Sequence, residues 1–278
     1  MSDVITIDTT TGSFKQEQNT HEKYDSKWGV IDNLLYFQKT VEPALRGWLF
    51  VYDHALIHMI MKDLQRDVEG DVAEIGVAFG RSAIALSNYR QSTEKLYLFD
   101  LCVDVPQEEA QANIDKYGTG DNIEWRVGDT TLLTPETLSF DRTIKFLHVD
   151  GSHEHGAVLK DLSTFSTKMS NGGVIVMDDY NDQEYPGVNS GTLQFLFENP
   201  DWVLFAIGQN KAYICQREHY DRYINGVVIF MELYNRFGLQ FGPRLRGVNE
   251  RNVLLCCSRE PKDIQEVKSE INNPVPLT

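Results

Sequence analysis

Two runs in this 278-residue chain gather side chains able to move protons or hold cations. His148-Val149-Asp150-Gly151-Ser152-His153-Glu154-His155 closes one apolar run, and Asp178-Asp179-Tyr180 closes another. On neighbouring parallel strands, Asp150, Asp178 and Asp179 would meet at one rim of a sheet. Three bare carboxylates within a few ångströms repel one another, so either some take up protons or a divalent cation neutralises them. A set made only of oxygen ligands favours Mg²⁺ or Ca²⁺ over zinc. The Asp pair can also serve as a plain cap for the segment after it. His153 suits proton removal at neutral pH, since an unperturbed imidazole titrates at about 6.5. The plainer role for it is a surface histidine at a helix start. His155 is expected on the outer side of the same turn, and Asp161 to be structural.

A second constellation is Glu74-Ile75-Gly76-Val77-Ala78-Phe79-Gly80-Arg81-Ser82, at a turn from strand to helix. Gly76 and Gly80 leave room for a close approach to the backbone. The spacing is not GxGxxG, and there is no Lys-Ser/Thr pair to cradle phosphates. Glu74 would repel a diphosphate and favour a cation, which suits the sulfonium and ammonium of S-adenosylmethionine. Asp100 closes the next strand, where an acidic residue commonly binds ribose hydroxyls. Asp129, in Gly128-Asp129-Thr130 after the third strand, is placed to accept a hydrogen bond from an adenine amino group. Each position alone reads equally as a helix cap, but three in order on successive strands point to one ligand.

The elements needed to hold these groups are legible. Strands are expected over Asp71–Ile75, Leu96–Asp100, Ile123–Val127, Ile144–Asp150 and Val174–Asp178. Helical patterns over Arg81–Asn88, Glu108–Tyr117 and Glu154–Met169 lie between them, the last stopped by Asn171-Gly172-Gly173. Apolar strands alternating with helices imply a parallel sheet covered on both faces. Trp202–Ile207 and Lys211–Gln216 flank Gly208-Gln209-Asn210 as an edge hairpin. The expected fold is α/β: a Rossmann-like, doubly wound, mostly parallel seven-stranded sheet with an antiparallel edge hairpin and helical decorations at both ends. The segments read as a mobile arm over 1–26, a helical lid segment over 27–67, a core over 68–217 and a helical extension with a tail over 218–278. Tyr185-Pro186-Gly187-Val188 reads as a loop beside the acceptor pocket. Trp28, Tyr36 and Phe37 are candidates for a lid or for core packing.

The sequence resembles class I S-adenosylmethionine-dependent methyltransferases, and within them the macrocin O-methyltransferase family and its small-molecule relatives. EIGVAFGRSA, LYLFD, VGDT, FLHVDGSHEHGAVLKDL, GGVIVMDDY and YPGVNSG carry the resemblance, from about Asp71 to Gly191. It implies S-adenosylmethionine as cofactor, bound by Glu74, Gly76, Gly80, Ser82, Asp100 and Asp129. It also implies a divalent metal such as Mg²⁺ on Asp150, Asp178 and Asp179, with Asp150 or His153 as the base. The metal would bind an acceptor hydroxyl, lower its pKa and hold it in line with the methyl group. Ser152 and His153 follow Asp150-Gly151 at a position that varies among relatives.

Composition narrows the partners. Acidic residues number 41 and basic residues 26, a net charge of −15, which argues against nucleic acid or anionic membrane. No apolar stretch approaches the roughly 20 residues of a membrane span. The N-terminus lacks a basic region followed by an apolar one, so a cytoplasmic location is expected. The four cysteines are expected to be reduced thiols. A hydroxylated natural product or sugar derivative is the leading acceptor. The alternatives are metal-independent N-methylation of a small amine or amino-acid derivative, hydroxylase-like use of the same metal, and a non-catalytic pathway scaffold. Val227–Tyr234 and the N-terminal helix are apolar enough to form a homodimer face.

Overall fold

Apolar runs of five to nine residues, most of them buried end to end, frame the molecule. The structure, a computed structural model, describes residues 6–8, 13–15, 24, 25, 27, 29–248 and 251–272. Strands β1 (Thr6–Asp8) and β2 (Ser13–Lys15) pair as a short antiparallel hairpin. The rest of the expected arm up to residue 23, and Trp28 of the expected lid, lie outside the described residues. Helices α1 (Val30–Tyr36) and α2 (Val51–His58) each run on into a wider π-helical turn, over Phe37–Val41 and Met59–Leu64. Tyr36 and Phe37 are core residues rather than a lid.

Alternation then begins with β3 (Asp71–Ile75), α3 (Arg81–Tyr89), β4 (Leu96–Asp100), α4 (Gln107–Tyr117) and β5 (Ile123–Val127). It continues with β6 (Ile144–Val149), α5 (His155–Phe165), β7 (Met169–Met177) and α6 (Pro186–Glu198). The chain then forms β8 (Trp202–Ile207), β9 (Ala212–Gln216), α7 (Tyr220–Arg236), β10 (Arg244–Val248), β11 (Arg251–Leu255) and α8 (Ile264–Asn272). The large sheet has the order β10-β11-β8-β9-β7-β6-β3-β4-β5. Strands β3 to β7 pair in parallel, and β9 lies antiparallel between β7 and β8.

Those seven strands are the expected doubly wound frame with its antiparallel edge. β10 and β11 add to it: the region after 218, expected as a helical extension with a tail, also supplies a hairpin whose β11 runs parallel to β8. The hairpin covers an edge that would otherwise present unpaired N–H and C=O groups. Arginines at Arg244, Arg246 and Arg251 interrupt the apolar pattern there and hide it from a periodicity reading. Two local readings also change. Asn171–Gly173 lies inside β7, where a bulge between the Ile144↔Met169 and Phe146↔Val174 pairs takes up the extra residues. Pro186–Val188 is the first turn of α6, where the missing proline N–H costs nothing.

Successive strand residues face opposite sides of the sheet. Val72, Phe146, Val174, Val176 and Tyr213 pack with residues of α1, α2, α3 and α7. Ala73, Ile75, Leu147, Val149, Ile175 and Met177 pack with α5 and α6. The same alternation puts Glu74, His148, Asp178 and Lys211 together on the α2 side, near the carboxyl ends of the parallel strands. Because β4 and β5 lie to one side of β3 and β6 to the other, a crevice opens where the order reverses. No described helix is long and apolar enough to cross a membrane.

Candidate active site

A cavity of about 450 Å³ sits in that crevice, lined by the ends of β3, β4, β5 and β6. Its charged wall residues are Asp100, Asp104, Asp129, Asp150 and His153, with no lysine or arginine among them. Leu101 and Val103, both more than half exposed, add an apolar rim. Such a wall repels phosphate and favours a cation of nucleoside size.

Gly76 is needed for a reason the sequence did not supply. At φ +81° a Cβ would lie 1.9 Å from the carbonyl oxygen of Asp150, so the glycine lets β3 and the turn after β6 close together. Asp100 organises the same turn: its Oδ2 accepts from the amides of Val77 (2.6 Å) and Ala78 (3.1 Å), and its Oδ1 from the amide of Cys102 (2.6 Å). A carboxylate with three backbone donors is held rigidly, and its remaining lone pairs stay available to ligand hydroxyls. Asp129 lines the cavity and also caps the next turn, accepting from the amide (2.9 Å) and hydroxyl (2.7 Å) of Thr131.

Three of the expected cofactor residues are not on the cavity wall. Gly80 caps α3 in a left-handed conformation, packed against Ile114 and Ala110 of α4. Ser82 lies one residue into α3 and is absent from the lining. Glu74 is fully buried on the α2 face, with Oε1 2.8 Å from Nδ1 of His148. Strand parity accounts for this: Ile75 and Gly76 reach the cavity, and Glu74 points away from it.

Behind the cavity lies a buried relay. Lys211 donates to Nε2 of His148 (3.0 Å) and is ion-paired with Asp178. With Nε2 accepting, the imidazole proton belongs on Nδ1 and is donated to Glu74. Burial alone would raise the Asp178 carboxyl, but the Lys211 ammonium overcomes it and holds the group below its ordinary value. Burial likewise opposes the Lys211 ammonium, yet Asp178, Asp150 and Asp53 together hold it above its ordinary value. Asp53 reaches in from α2 and accepts from the amides of Gln209 (3.1 Å) and Asn210 (2.7 Å) and from the Tyr213 hydroxyl (3.0 Å). Burial pushes its carboxyl up to about 6, against the pull of Lys211.

At the rim, Asp150, His153 and Asp179 converge. Nε2 of His153 lies 3.1 Å from Oδ2 of Asp179 and 4.0 Å from Oδ1 of Asp150. The ring stacks on Tyr185, with centroids 3.9 Å apart and planes inclined by 28°. Asp150 and Asp179 hold the imidazolium up to about 9. Burial, with the neighbouring Asp178 charge, raises Asp150 to about 7. Asp179 adopts φ +53°, unusual for a residue with a side chain, and its Oδ1 accepts from Nδ2 of Asn210 (2.7 Å). His155 faces α6 instead of solvent, bonded to Ser190 (2.9 Å) and Gln194 (2.8 Å).

The expected metal set of Asp150, Asp178 and Asp179 does not fit this arrangement. Asp178 is spent: Oδ1 accepts from the Asp179 amide (2.8 Å), and Oδ2 meets the Lys211 ammonium. The ligand atoms that do lie within 4.8 Å of one another belong to Asp150, His153 and Asp179, where the histidine is already the positive partner of two carboxylates. Sequence reasoning missed Lys211, Asp53 and the structural part of His148. The one available signal was strand parity, which aligns Lys211 with Tyr213 and Cys215.

Residues 73–180 match the family described as Methyltransferase domain. Over 141 residues the chain is 26% identical to an uncharacterised protein, R132, of Acanthamoeba polyphaga mimivirus. That match takes in 47% of this chain and 64% of R132, so the chain spans less than two thirds of that relative's length. Among solved structures, the O-methyltransferase NovP is similar at a TM-score of 0.52 and 19% identity, covering 62% of this chain and 83% of NovP. Cofactor-bound Rv0187 from MTB is similar at 0.51 and 20% identity, covering 68% and 89%. At such identities these two likenesses speak for the fold.

Proposed function

We propose that this protein, whose residues 73–180 match the family described as Methyltransferase domain, is a class I S-adenosylmethionine-dependent enzyme that methylates a hydroxyl of a small molecule. The observation that carries the proposal is the Asp150–His153–Asp179 triangle at the mouth of an acidic cavity free of lysine and arginine. When bound, S-adenosylmethionine supplies an electrophilic methyl group on a sulfonium. The residues fit it: the acidic wall favours a cation, and Asp100, on that wall and held by three amides, supports a role towards the ribose hydroxyls.

The work left to this chain is to orient the acceptor and remove its proton. Asp150, whose carboxyl is pushed above the usual carboxylate range by burial and the neighbouring Asp178 charge, is placed beside the cavity to take that proton. S-adenosylmethionine would give up its methyl group to the acceptor oxygen and would leave as the neutral thioether. The hydroxyl proton passes to Asp150. His153, held between Asp150 and Asp179, keeps the carboxylate oriented and stabilises its charged form. Tyr185, stacked on His153, fixes the ring. The acceptor class follows from the same wall: a phosphate-bearing molecule would be repelled, and a neutral polyhydroxylated one would not.

The test has two stages. Calorimetry with S-adenosylhomocysteine should give saturable binding, and absence of heat at high ligand concentration would remove the cofactor assignment. Transfer of labelled methyl from S-adenosylmethionine to a panel of neutral hydroxylated compounds, amines and phosphorylated sugars should then favour the first group. Preference for the amines would move the reading to N-methylation.

A further inference from the structure

We infer that Lys211 is a built-in counter-cation for the carboxylate nest, taking the neutralising role that the sequence assigned to a divalent metal. The inference rests on the methyltransferase reading of the adjoining cavity, and it concerns how that site is charged.

Three observations carry it. Lys211 is 2% exposed, and a lysine is almost never buried so deeply unless paired. Its ammonium meets Asp178, itself only 8% exposed, and Nε2 of His148, so a metal entering at Asp178 would have to displace a bonded charge. The backbone also leaves the ammonium little freedom. Lys211 directly precedes Ala212, which pairs with Met177, and its carbonyl accepts from the Gly208 amide (2.8 Å). The turn between is pinned by Asp53 through the amides of Gln209 and Asn210.

Position makes the choice of cation matter. Lys211 is absent from the cavity wall and stands on the α2 side of the sheet. It therefore offsets Asp178 from behind, and its charge also acts on Asp150 and Asp53. Lys211 is thus a positioning residue: it touches no substrate and sets the charge of the groups that do.

Mn²⁺ serves as the probe, followed by electron paramagnetic resonance on the full chain with saturating S-adenosylhomocysteine. The unmodified protein should leave the spectrum of free Mn²⁺ at full amplitude. Lys211→Met should bind Mn²⁺ stoichiometrically, roughly a hundredfold tighter than the parent, because Asp178 then lacks its cation beside Asp150 and Asp179. Lys211→Arg, which keeps a positive charge, should restore the parental spectrum. If Lys211→Met folds poorly, thermal denaturation reads the same property: Mn²⁺ should raise the melting temperature of the variant and leave that of the parent unchanged. Stoichiometric Mn²⁺ binding by the unmodified protein overturns the inference, as does a Lys211→Met chain that binds no tighter than the parent. Calorimetry with S-adenosylhomocysteine is read separately. A chain that fails to bind it would end the methyltransferase reading, while the Mn²⁺ results still decide the part played by Lys211.

Discussion

Nδ1 of His148 lies 2.8 Å from Oε1 of Glu74, and neither side chain reaches solvent. The two residues are register partners on β6 and β3, so their contact is set by the pairing of the sheet itself. Glu74 begins the glycine turn, and His148 stands two residues before Asp150. The geometry of the acceptor side and of the cofactor side therefore shares one buried hydrogen bond.

Replacing His148 by alanine should be severely destabilising. It leaves the Glu74 carboxylate without its donor and removes one acceptor from Lys211. Stripping a partner from a buried charge typically costs about 3–5 kcal/mol. Urea denaturation followed by circular dichroism should show the midpoint fall accordingly, and a change within about 0.5 kcal/mol would mean the relay does not bear on stability.

Asp100→Ala should weaken cofactor binding by roughly tenfold to a hundredfold, since it removes a charged acceptor from three backbone amides and from the ribose position. Calorimetry with S-adenosylhomocysteine checks this. Asp129→Ala should be milder, because that carboxylate is exposed and already bonded to Thr131. Equal losses from the two variants would argue that Asp100 only braces the turn.

His153 should titrate near pH 9 in the folded protein, held there by Asp150 and Asp179. Its value lies above the unfolded one of about 6.5. The stability it contributes is therefore fully present below about pH 6.5 and is lost as pH rises through about 9. Nuclear magnetic resonance of the imidazole should show the titration moving down in Asp179→Asn, a substitution that tolerates the left-handed backbone at 179. A histidine that titrates at its ordinary value in both proteins would separate the ring from its carboxylates.

Gly187→Ala should displace α6. A Cβ at this position would lie 2.3 Å from the carbonyl oxygen of His153, a backbone atom that cannot swing aside. A loss of about 1–3 kcal/mol is expected on thermal denaturation. Tyr185, two residues earlier, should lose its stacking on His153, visible as a changed ring-current shift.

The repeating frame was legible because buried parallel strands read as short, largely apolar runs, and Asp71–Ile75, Leu96–Asp100 and Ile144–Val149 keep that character despite Glu74, Lys145 and His148. Asp100, Asp129 and Asp150 were legible because carboxyl ends of such strands open on one crevice. Lys211 was not, since a lysine at the edge of an apolar run looks like the place where a strand meets solvent. What buries it is Asp53, 158 positions earlier in the chain and invisible to any local pattern. β10 and β11 escaped for a related reason: an edge hairpin alternates with charge, and arginines erase the apolar signature. The Lys211 pairing of Asp178 was not legible either, because adjacency to Asp179 says nothing about which way each side chain turns.

Asp53 belongs to α2, and Arg81 of α3 reaches back to the carbonyl oxygens of Glu42 and Leu45. The residues before 68 thus act as a keystone. A clone shortened to residues 68–217 would keep every recognisable motif and yet leave the turn before Lys211 without its carboxylate clasp. It would also bare the greasy patch that Leu56, Ile57 and Ile60 now cover. Such a fragment should precipitate on expression, and a soluble, folded 68–217 chain would show that the leading helices are a detachable cover.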